Sequence, residues 1–287
     1  MTPDEQLADD LRQHVRRLAS EPRPAGSAAH LRAREYVADH LARAGFAVEH
    51  APFRADGLPP GVNLLTRPLP ERPDLPLLLV AAHYDSAPGT PGADDNASAV
   101  AALLELAAWA RPLLDGAGPR ARLQLAAYDQ EEDGLAGSRA HSGEVAGPLL
   151  GMLSLEMLGY ADARPGSQRL PPHLTGLYPD TADFIGVVGS QASRGLVQAV
   201  AGAMKGAEGL KVEALAVPGN GEQLPESRQS DHASFWDRGL PALMVTDTSF
   251  FRNPHYHRPS DTPDTLDYAF LARVTAGLRL AVRQLVR

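Results

Sequence analysis

The sequence contains no cysteine, and this absence removes three kinds of chemistry. Disulfide bonds, thiolate ligands for zinc and a cysteine nucleophile are all excluded. Any metal ion bound by this chain must therefore be held by nitrogen and oxygen atoms, chiefly those of histidine and the carboxylates.

Basic charge and long hydrophobic runs are also scarce. Lys205 and Lys211 are the only lysines, the formal net charge is -8 and the pI is about 5.7, which argues against a nucleic-acid partner. We find no window that we expect to span a membrane, and the first twenty residues lack the apolar core of a signal peptide. We therefore predict a cytoplasmic protein without a membrane partner, unless a leader precedes the given sequence. The oligomeric state is not indicated.

The sequence does contain alternating helical and strand patterns. Two amphipathic segments open the chain, and Gly45 is the expected end of the second helix. Strand patterns follow at "FAVEHAPF" and "GVNLLTR", and "LPLLLVAAHYD" is a continuous apolar run of the kind buried in a central sheet. Later strands are predicted at "ARLQLAAYDQ", "LLGMLSLEML", "LKVEALA" and "LPALMVTDT", with helices between them and a closing amphipathic helix. We predict one α/β domain over residues 1–287, with a mixed, largely parallel central β-sheet flanked by helices.

Two segments do not fit this alternation. Residues 163–181 and 218–230 are rich in proline, glycine and polar residues, and long loops in a compact domain are often functional. We expect them to form walls of a specificity pocket. Arg228 in the second loop is a candidate for binding a substrate carboxylate, although an arginine at a loop end is more often solvated.

Acidic and histidine side chains collect where the predicted strands end. The stretch "AAHYDSAPGTPGADDNASAV" carries His83, Asp85, Asp94 and Asp95 between a strand and a helix. Comparable residues follow the later strands: Asp129, Glu131, Glu132, Glu156 and His257. Because chemistry in open α/β sheets gathers beyond the carboxyl ends of the strands, these side chains are expected to converge.

Each cluster also has a plain structural explanation. Asp94 and Asp95 could cap the following helix, and a single histidine at a strand end is usually structural. Several such clusters at successive strand ends are harder to explain, because converging carboxylates repel one another unless a cation lies among them. Imidazole and carboxylate without sulfur favour zinc, with cobalt or manganese as less favoured alternatives. His83 and Asp85 point the same way on a strand, which suits a histidine ligand steadied by a carboxylate.

Several motifs together resemble those of a known family. They are "HYDS", "PGADDNAS", "EED", "SLEMLGY", "SDHASFW" and "NPHYHRPSDTPDTLDY". Each motif alone is weak, but their order and spacing resemble the M28 family of zinc-dependent peptidases, which includes aminopeptidases and some carboxypeptidases. The resemblance runs from about Val15 to the C-terminus and implies a zinc-peptidase/phosphorylase-like fold.

The resemblance implies a ligand set for two zinc ions per chain. In that family the two ions share a bridging carboxylate and a water or hydroxide. Here the bridge would be Asp95. One zinc ion would have His83 and Glu156 as its other ligands. The second would have Glu132 and His257.

The resemblance also implies roles for residues around the metals. Glu131 would be the general base, which takes a proton from the bridging water and passes it to the leaving amine. Tyr256 matches a position where the family can place a phenol to stabilise the oxyanion, although it could also be an ordinary buried aromatic residue. Asp231 of "SDHASFW" is expected to orient a ligand histidine, most plausibly His257.

Two further residues are expected near the metals. Asp94 and Asn96 are expected to bond to the backbone or to support the ligands. The resemblance implies a cis peptide between Asp95 and Asn96. The best-known secreted aminopeptidases have aspartate where this chain has Glu156, and the longer side chain can change how the carboxylate meets its zinc ion or the free ammonium of the substrate.

The predicted function is that of a zinc-dependent exopeptidase acting on peptides, and an aminopeptidase is favoured over a carboxypeptidase on family grounds. Two alternatives stay open. A glutaminyl-peptide cyclase shares the fold but uses one zinc ion, and "YDQEE" is similar to its acidic motif. A catalytically inactive binding domain would usually have lost ligands or the base, whereas this sequence retains all of them.

Overall fold

The computed structural model describes residues 2–115 and 118–287. Its helices are α1 (Pro3–Leu18), α2 (Ala28–Arg43), α3 (Ala99–Leu114), α4 (Ala136–Ser142), α5 (Arg194–Met204), α6 (His232–Trp236) and α7 (Tyr268–Val286). Its strands are β1 (Val48–Phe53), β2 (Gly61–Thr66), β3 (Leu77–His83), β4 (Arg122–Tyr128), β5 (Leu149–Glu156), β6 (Phe184–Ser190), β7 (Lys211–Val217) and β8 (Ala242–Thr246).

The strands form one mixed, mostly parallel sheet in the order β1-β2-β4-β3-β5-β8-β6-β7. The central strands β4, β3, β5 and β8 run parallel to one another. β1 and β2 are antiparallel at one edge, whereas β6 is antiparallel to β8 and parallel to β7 at the other. The predicted α/β domain with a flanked central sheet is confirmed.

Helix α1 shows how local sequence sets an element. The Thr2 side chain accepts a hydrogen bond from the backbone N–H of Glu5, whose carboxylate accepts one from the backbone N–H of Thr2, which forms a capping box. Leu7, Leu11 and Val15 then recur every four residues and are all buried. This face packs α1 against α3 and α7.

The sheet separates two apolar cores. Leu78 and Val80 of β3 belong to the larger core, which also contains residues of α1, α2, α3, α5 and α7. Leu79 and Ala81 point the other way and pack in the core that contains Phe235 of α6. Because β3 is covered on both faces, each of its buried leucines contributes about 2 kcal/mol to stability, and the apolar run predicted from sequence is explained.

Strand β6 corrects the sequence analysis, which predicts no strand between β5 and α5. Gly186 and Gly189 interrupt its apolar pattern and lower its strand propensity. At Gly189 the glycine is required by packing, because a Cβ atom there would lie 2.4 Å from a methyl carbon of Val197 in α5. The close approach of a helix therefore hides this strand from a propensity argument.

The segment Ala93–Leu114 corrects a second expectation, that no window is long and apolar enough to span a membrane. By length and composition alone, this helical segment is long and apolar enough to span a membrane. In the structure 67% of its most apolar window is buried, and α3 packs against α1, α2, α7 and β3. Burial in the core is a sufficient explanation of its composition.

A buried arginine fixes the loop that follows β3. Arg23 is 1% exposed, and its guanidinium donates hydrogen bonds to the backbone carbonyls of Tyr84, Pro91 and Gly92. This loop runs directly into the acidic segment that begins at Asp94. Arg23, contributed by the connection between α1 and α2, therefore holds the approach to the acidic segment in place.

Replacing Arg23 with methionine keeps an aliphatic chain but leaves three buried carbonyls without their donor. We expect the free energy of unfolding to fall by about 3 kcal/mol, as measured by urea denaturation in the presence of EDTA. Arg17→Met, at an exposed position, is the matched control and should change stability by less than about 0.5 kcal/mol. Equal stability of the two variants would contradict the anchoring role.

His141 of α4 is a buried imidazole in the smaller core. Its Nδ1 lies 2.8 Å from the hydroxyl of Tyr128, and burial lowers the pKa of His141 to about 4. An unfolded histidine has a pKa of about 6.5, so between about pH 6.5 and pH 4 the unfolded chain binds a proton that the folded chain does not. The stability that neutral His141 contributes is therefore lost as the pH falls through this window.

We expect His141→Gln to reduce the loss of stability between pH 7 and pH 4.5 by about 2 kcal/mol relative to the unsubstituted protein. Urea unfolding at both pH values in EDTA gives the two differences directly. His50→Gln, at an exposed position of β1, is the control and should leave the pH dependence unchanged. If all three proteins lose the same stability on acidification, His141 is not the group responsible.

Candidate metal centre

The predicted metal ligands meet at the carboxyl edge of the parallel strands. β3 ends at His83, β5 ends at Glu156, and Glu132 follows β4. His257 lies in the loop after β8, and Asp95 lies in the helical turn before α3. Since β3, β4, β5 and β8 are parallel, the chain delivers these five side chains to one end of the sheet.

Asp95 lies between the two histidines and presents one carboxylate oxygen to each. Its Oδ1 is 3.3 Å from Nε2 of His83, and its Oδ2 is 3.2 Å from Nε2 of His257. Glu156 Oε2 is 3.6 Å from the same nitrogen of His83. Glu132 Oε2 is 3.0 Å from the same nitrogen of His257.

These contacts define two groups of possible ligands that share Asp95. Ligand atoms of His83, Asp95 and Glu156 lie within 4.8 Å of one another. Ligand atoms of Asp95, Glu132 and His257 satisfy the same limit. Each group is compact enough to surround one cation, and together they match the two sets that the sequence implies.

The state of His83 suits a metal ligand. Its Nε2 is buried and makes no hydrogen bond of acceptable geometry, which is unusual for a buried polar atom. Its other nitrogen, Nδ1, is 3.3 Å from Oδ1 of Asp85, as the two-residue spacing predicts. If a cation took the place of the proton on Nε2, a proton kept on Nδ1 and donated to Asp85 would hold the ring in the form that binds metals.

The carboxylates of the cluster hold more negative charge than their surroundings stabilise. Burial raises the pKa of Glu131 well above its usual range, and the charges of Glu156 and Asp231 raise it further. Burial also raises the pKa of Glu156 to about 7, although His83 opposes the shift. A divalent cation would relieve this repulsion, so the residues present fit a metal site.

Asp95 behaves differently because both histidines contact it. Burial alone would raise its pKa, but His257 and His83 outweigh burial and lower it below the usual range. In return, the hydrogen bonds with Asp95 and Glu132 raise the pKa of His257 to about 10. The shared carboxylate is therefore the acid of this cluster that is held ionised most firmly.

Asp85 also fixes the backbone beside the cluster. Its two carboxylate oxygens accept hydrogen bonds from the backbone N–H groups of Glu131 and Glu132, each at 3.2 Å. The same carboxylate faces His83. Asp85 therefore couples the end of β3 to the acidic pair after β4.

Two supporting residues were missed by the sequence analysis. Asp261 accepts hydrogen bonds from the backbone N–H groups of Asp94 and Asp95, at 2.9 and 3.2 Å. Ser230 donates a hydrogen bond of 2.7 Å to Oε2 of Glu156. Both belong to quoted motifs, but nothing in their spacing shows which distant backbone or side chain they contact.

The residues around the shared aspartate bond to the backbone as expected. Asp94 accepts a hydrogen bond from the N–H of Gly159, and Asn96 donates one to the carbonyl of Leu155. The peptide between Asp95 and Asn96 is cis. These contacts link the turn before α3 to the end of β5.

Two predicted roles have no matching contact among the described residues. Asp231 is fully buried, neither of its carboxylate oxygens has a hydrogen-bond partner, and among the described residues it makes no hydrogen bond to His257. Arg228 does not face the binding cleft, because its guanidinium donates to the carbonyl of Asn220 and pairs with Asp237 at the end of α6. A local acidic partner thus satisfies this arginine.

A cleft of about 970 Å³ opens beside the cluster. Both loops singled out in the sequence line it, through residues such as Leu174 and Tyr178 from the first and Leu224 from the second. Tyr256 also lines the cleft, and its ring stacks on His257 with ring centroids 3.8 Å apart. The expectation that these loops wall a pocket is met.

The sequence is also similar to known proteins over most of its length. The profile described as Peptidase family M28 matches residues 63–282. The uncharacterized protein YfbL of Escherichia coli (strain K12) is 38% identical over 294 residues, covering 96% of this chain and 88% of YfbL.

Solved structures share the fold. The zinc aminopeptidase BSAP from Bacillus subtilis superposes with a TM-score of 0.74 at 15% identity, covering 98% of this chain and 95% of BSAP. Glutaminyl cyclase from Porphyromonas gingivalis superposes with a TM-score of 0.71 at 19% identity, covering 96% and 97%. With a family profile that spans most of its length and a full-length relative, this chain belongs to peptidase family M28.

Proposed function

We propose that the protein is an aminopeptidase that uses two zinc ions to hydrolyse the N-terminal peptide bond of its substrates. The observation that carries this proposal is the position of Asp95, shared by two complete groups of ligand atoms beside an open cleft. Membership of family M28 and the shared fold with a zinc aminopeptidase support it.

The ligand assignment follows the two groups. One zinc ion would be held by His83, Asp95 and Glu156, and the other by Asp95, Glu132 and His257. When bound, the zinc ions supply Lewis-acid polarisation of the substrate carbonyl and lower the pKa of water.

In this proposal Glu131 acts as the general base. It belongs to neither ligand group, yet it lines the cleft with its Oε2 only 4.0 Å from Nε2 of His83. Its carboxylate accepts a proton from the attacking water and then donates it to the nitrogen of the leaving amine. The burial that raises its pKa also makes the protonated form easy to reach, which suits the second step.

In the same proposal Tyr256 stabilises the oxyanion. Burial raises the pKa of its phenol above the ordinary value, so the hydroxyl stays protonated and can donate a hydrogen bond. Its stacking on His257 holds the ring at the edge of the metal cluster. The hydroxyl would therefore donate to the oxygen on which charge develops as the carbonyl is attacked.

The charge of the cleft favours recognition of an amine over a carboxylate. Several carboxylates line the cleft, including Glu131 and Glu156, whereas no described lining residue is a lysine or an arginine. Arg228, the candidate for binding a substrate carboxylate, pairs with Asp237 instead, which gives a carboxypeptidase less support. A free substrate ammonium thus fits this cleft, which argues for an aminopeptidase.

The two alternatives explain less of the site. A single-zinc glutaminyl cyclase would need only one of the two ligand groups, yet both are compact. An inactive binding domain would have no use for Glu131 beside the cluster.

The zinc content separates a two-zinc aminopeptidase from a single-zinc cyclase. We expect two zinc ions per chain after loading and dialysis, measured by elemental analysis, and a fall to about one in His257→Ala because only one ligand group loses a residue. His255→Ala, a neighbouring histidine that belongs to neither group, is the control and should retain two. One zinc ion per chain in the unsubstituted protein would favour the cyclase.

The role of Glu131 is tested by replacing it with glutamine. We expect kcat on aminoacyl p-nitroanilides to fall by about 1,000-fold while the zinc content stays at two, because a base and not a ligand is lost. Glu144→Gln, at an exposed position, is the control for the same change of charge. Full activity of the Glu131 variant would show that another group moves the proton.

A further inference from the structure

The floor of the cleft is a row of residues that crosses four neighbouring strands. In the register of the sheet, Glu156 of β5 pairs with Thr246 of β8, Thr246 with Gly186 of β6, and Gly186 with Glu213 of β7. All four residues line the cleft. The row therefore joins a proposed zinc ligand to a glutamate on the edge strand, across three interstrand steps of about 4.8 Å each.

The row contains one glycine, Gly186, between two residues that have side chains. Gly186 has no side chain between Thr246 and Glu213, and the row extends about 14 Å from Glu156 to Glu213; we call the part of the cleft above this row the channel. A parallel row, Met244, Val188 and Leu215, gives the channel an apolar side. Leu174 and Phe250 from the surrounding loops line the same space.

Two acids that line the cleft belong to neither ligand group. Glu213 lies on β7, and Glu226 lies in the short helical turn Pro225–Arg228. Both line the cleft and are partly exposed. Among the described residues, neither side chain makes a hydrogen bond or an ion pair, although most other acids of the protein that line this cleft contact a histidine or a backbone N–H.

We propose that this channel selects substrates whose N-terminal residue is arginine or lysine. The inference rests on the proposed aminopeptidase function and names its substrate class. The aliphatic stem of the substrate side chain lies along Met244, Val188 and Leu215, and its cationic end pairs with Glu213 and Glu226.

The dimensions of the channel agree with this occupant. An extended lysine or arginine side chain carries its charge about 6 to 7 Å from Cα, given ordinary covalent bond lengths. If the scissile carbonyl lies at the zinc ligands, the peptide atoms at one end and the side chain of Glu213 at the other span the rest of the channel, which is about 14 Å long. A leucine would fill only the near half and would leave both carboxylates without a partner.

The test compares arginine with citrulline, which has nearly the same shape but no charge. On zinc-loaded protein we expect kcat/KM for the arginine p-nitroanilide to exceed that for the citrulline compound by roughly 10-fold, because two partly exposed ion pairs contribute modestly. The variant Glu213→Gln/Glu226→Gln should bring this ratio close to one with little change for citrulline. Glu208→Gln, an exposed acid outside the cleft, is the control and should keep the ratio.

A binding measurement gives a readout that does not depend on turnover. In zinc-loaded Glu131→Gln protein, calorimetry should show tighter binding of arginyl-leucine than of citrullyl-leucine, by a similar factor. Adding the two glutamine substitutions should abolish the difference. High salt should weaken only the arginine ligand, because partly exposed ion pairs are screened.

Three results would overturn the inference. The first is an equal kcat/KM for the arginine and citrulline substrates in the unsubstituted protein. The second is a preference for arginine that survives in the double variant. The third is release of dipeptides, which would place the peptide N-terminus and not a side chain in the channel. Failure of the proposed function looks different, since no aminoacyl substrate would then be cleaved. In that case the calorimetric comparison still decides whether the channel binds a cationic side chain.

Discussion

The structure depends on keeping one buried carboxylate charged between two imidazoles. Asp95 is almost wholly enclosed, and burial alone would favour its neutral form. His83 and His257 on either side reverse that preference, and the backbone N–H of Asp95 is held by the carboxylate of Asp261. The ligand that both proposed metals share is thus fixed by direct contacts from three residues, one at the end of β3 and two in the loop before α7.

The fold explains why so many acids can gather at this place. Parallel strands deliver their carboxyl ends to one edge, and each connection there contributes one or two polar residues. Asp85 ties two of these connections together, and Ser230 supports Glu156 from a third. The resulting cluster is rigid in its backbone contacts but electrostatically incomplete without added positive charge.

Much of this could be predicted from the sequence, for reasons that are physical. The apolar run of β3 reads clearly because both of its faces are buried, and His83 can be placed at its end by simple counting. Strand β6 could not be found in the same way, because Gly189 is required by packing against Val197 of α5, and a strand pattern does not reveal that contact. The partner of Arg228 likewise depends on a tertiary contact with Asp237 that spacing does not encode.

The contacts of Arg23 indicate which part of the chain forms the minimal folding unit. The match to the family profile begins at residue 63, well after this arginine. Yet the guanidinium that binds Tyr84, Pro91 and Gly92 comes from the helical hairpin at the start of the chain. That hairpin is therefore part of the support of the candidate metal centre, and a fragment limited to residues 63–282 would lack it.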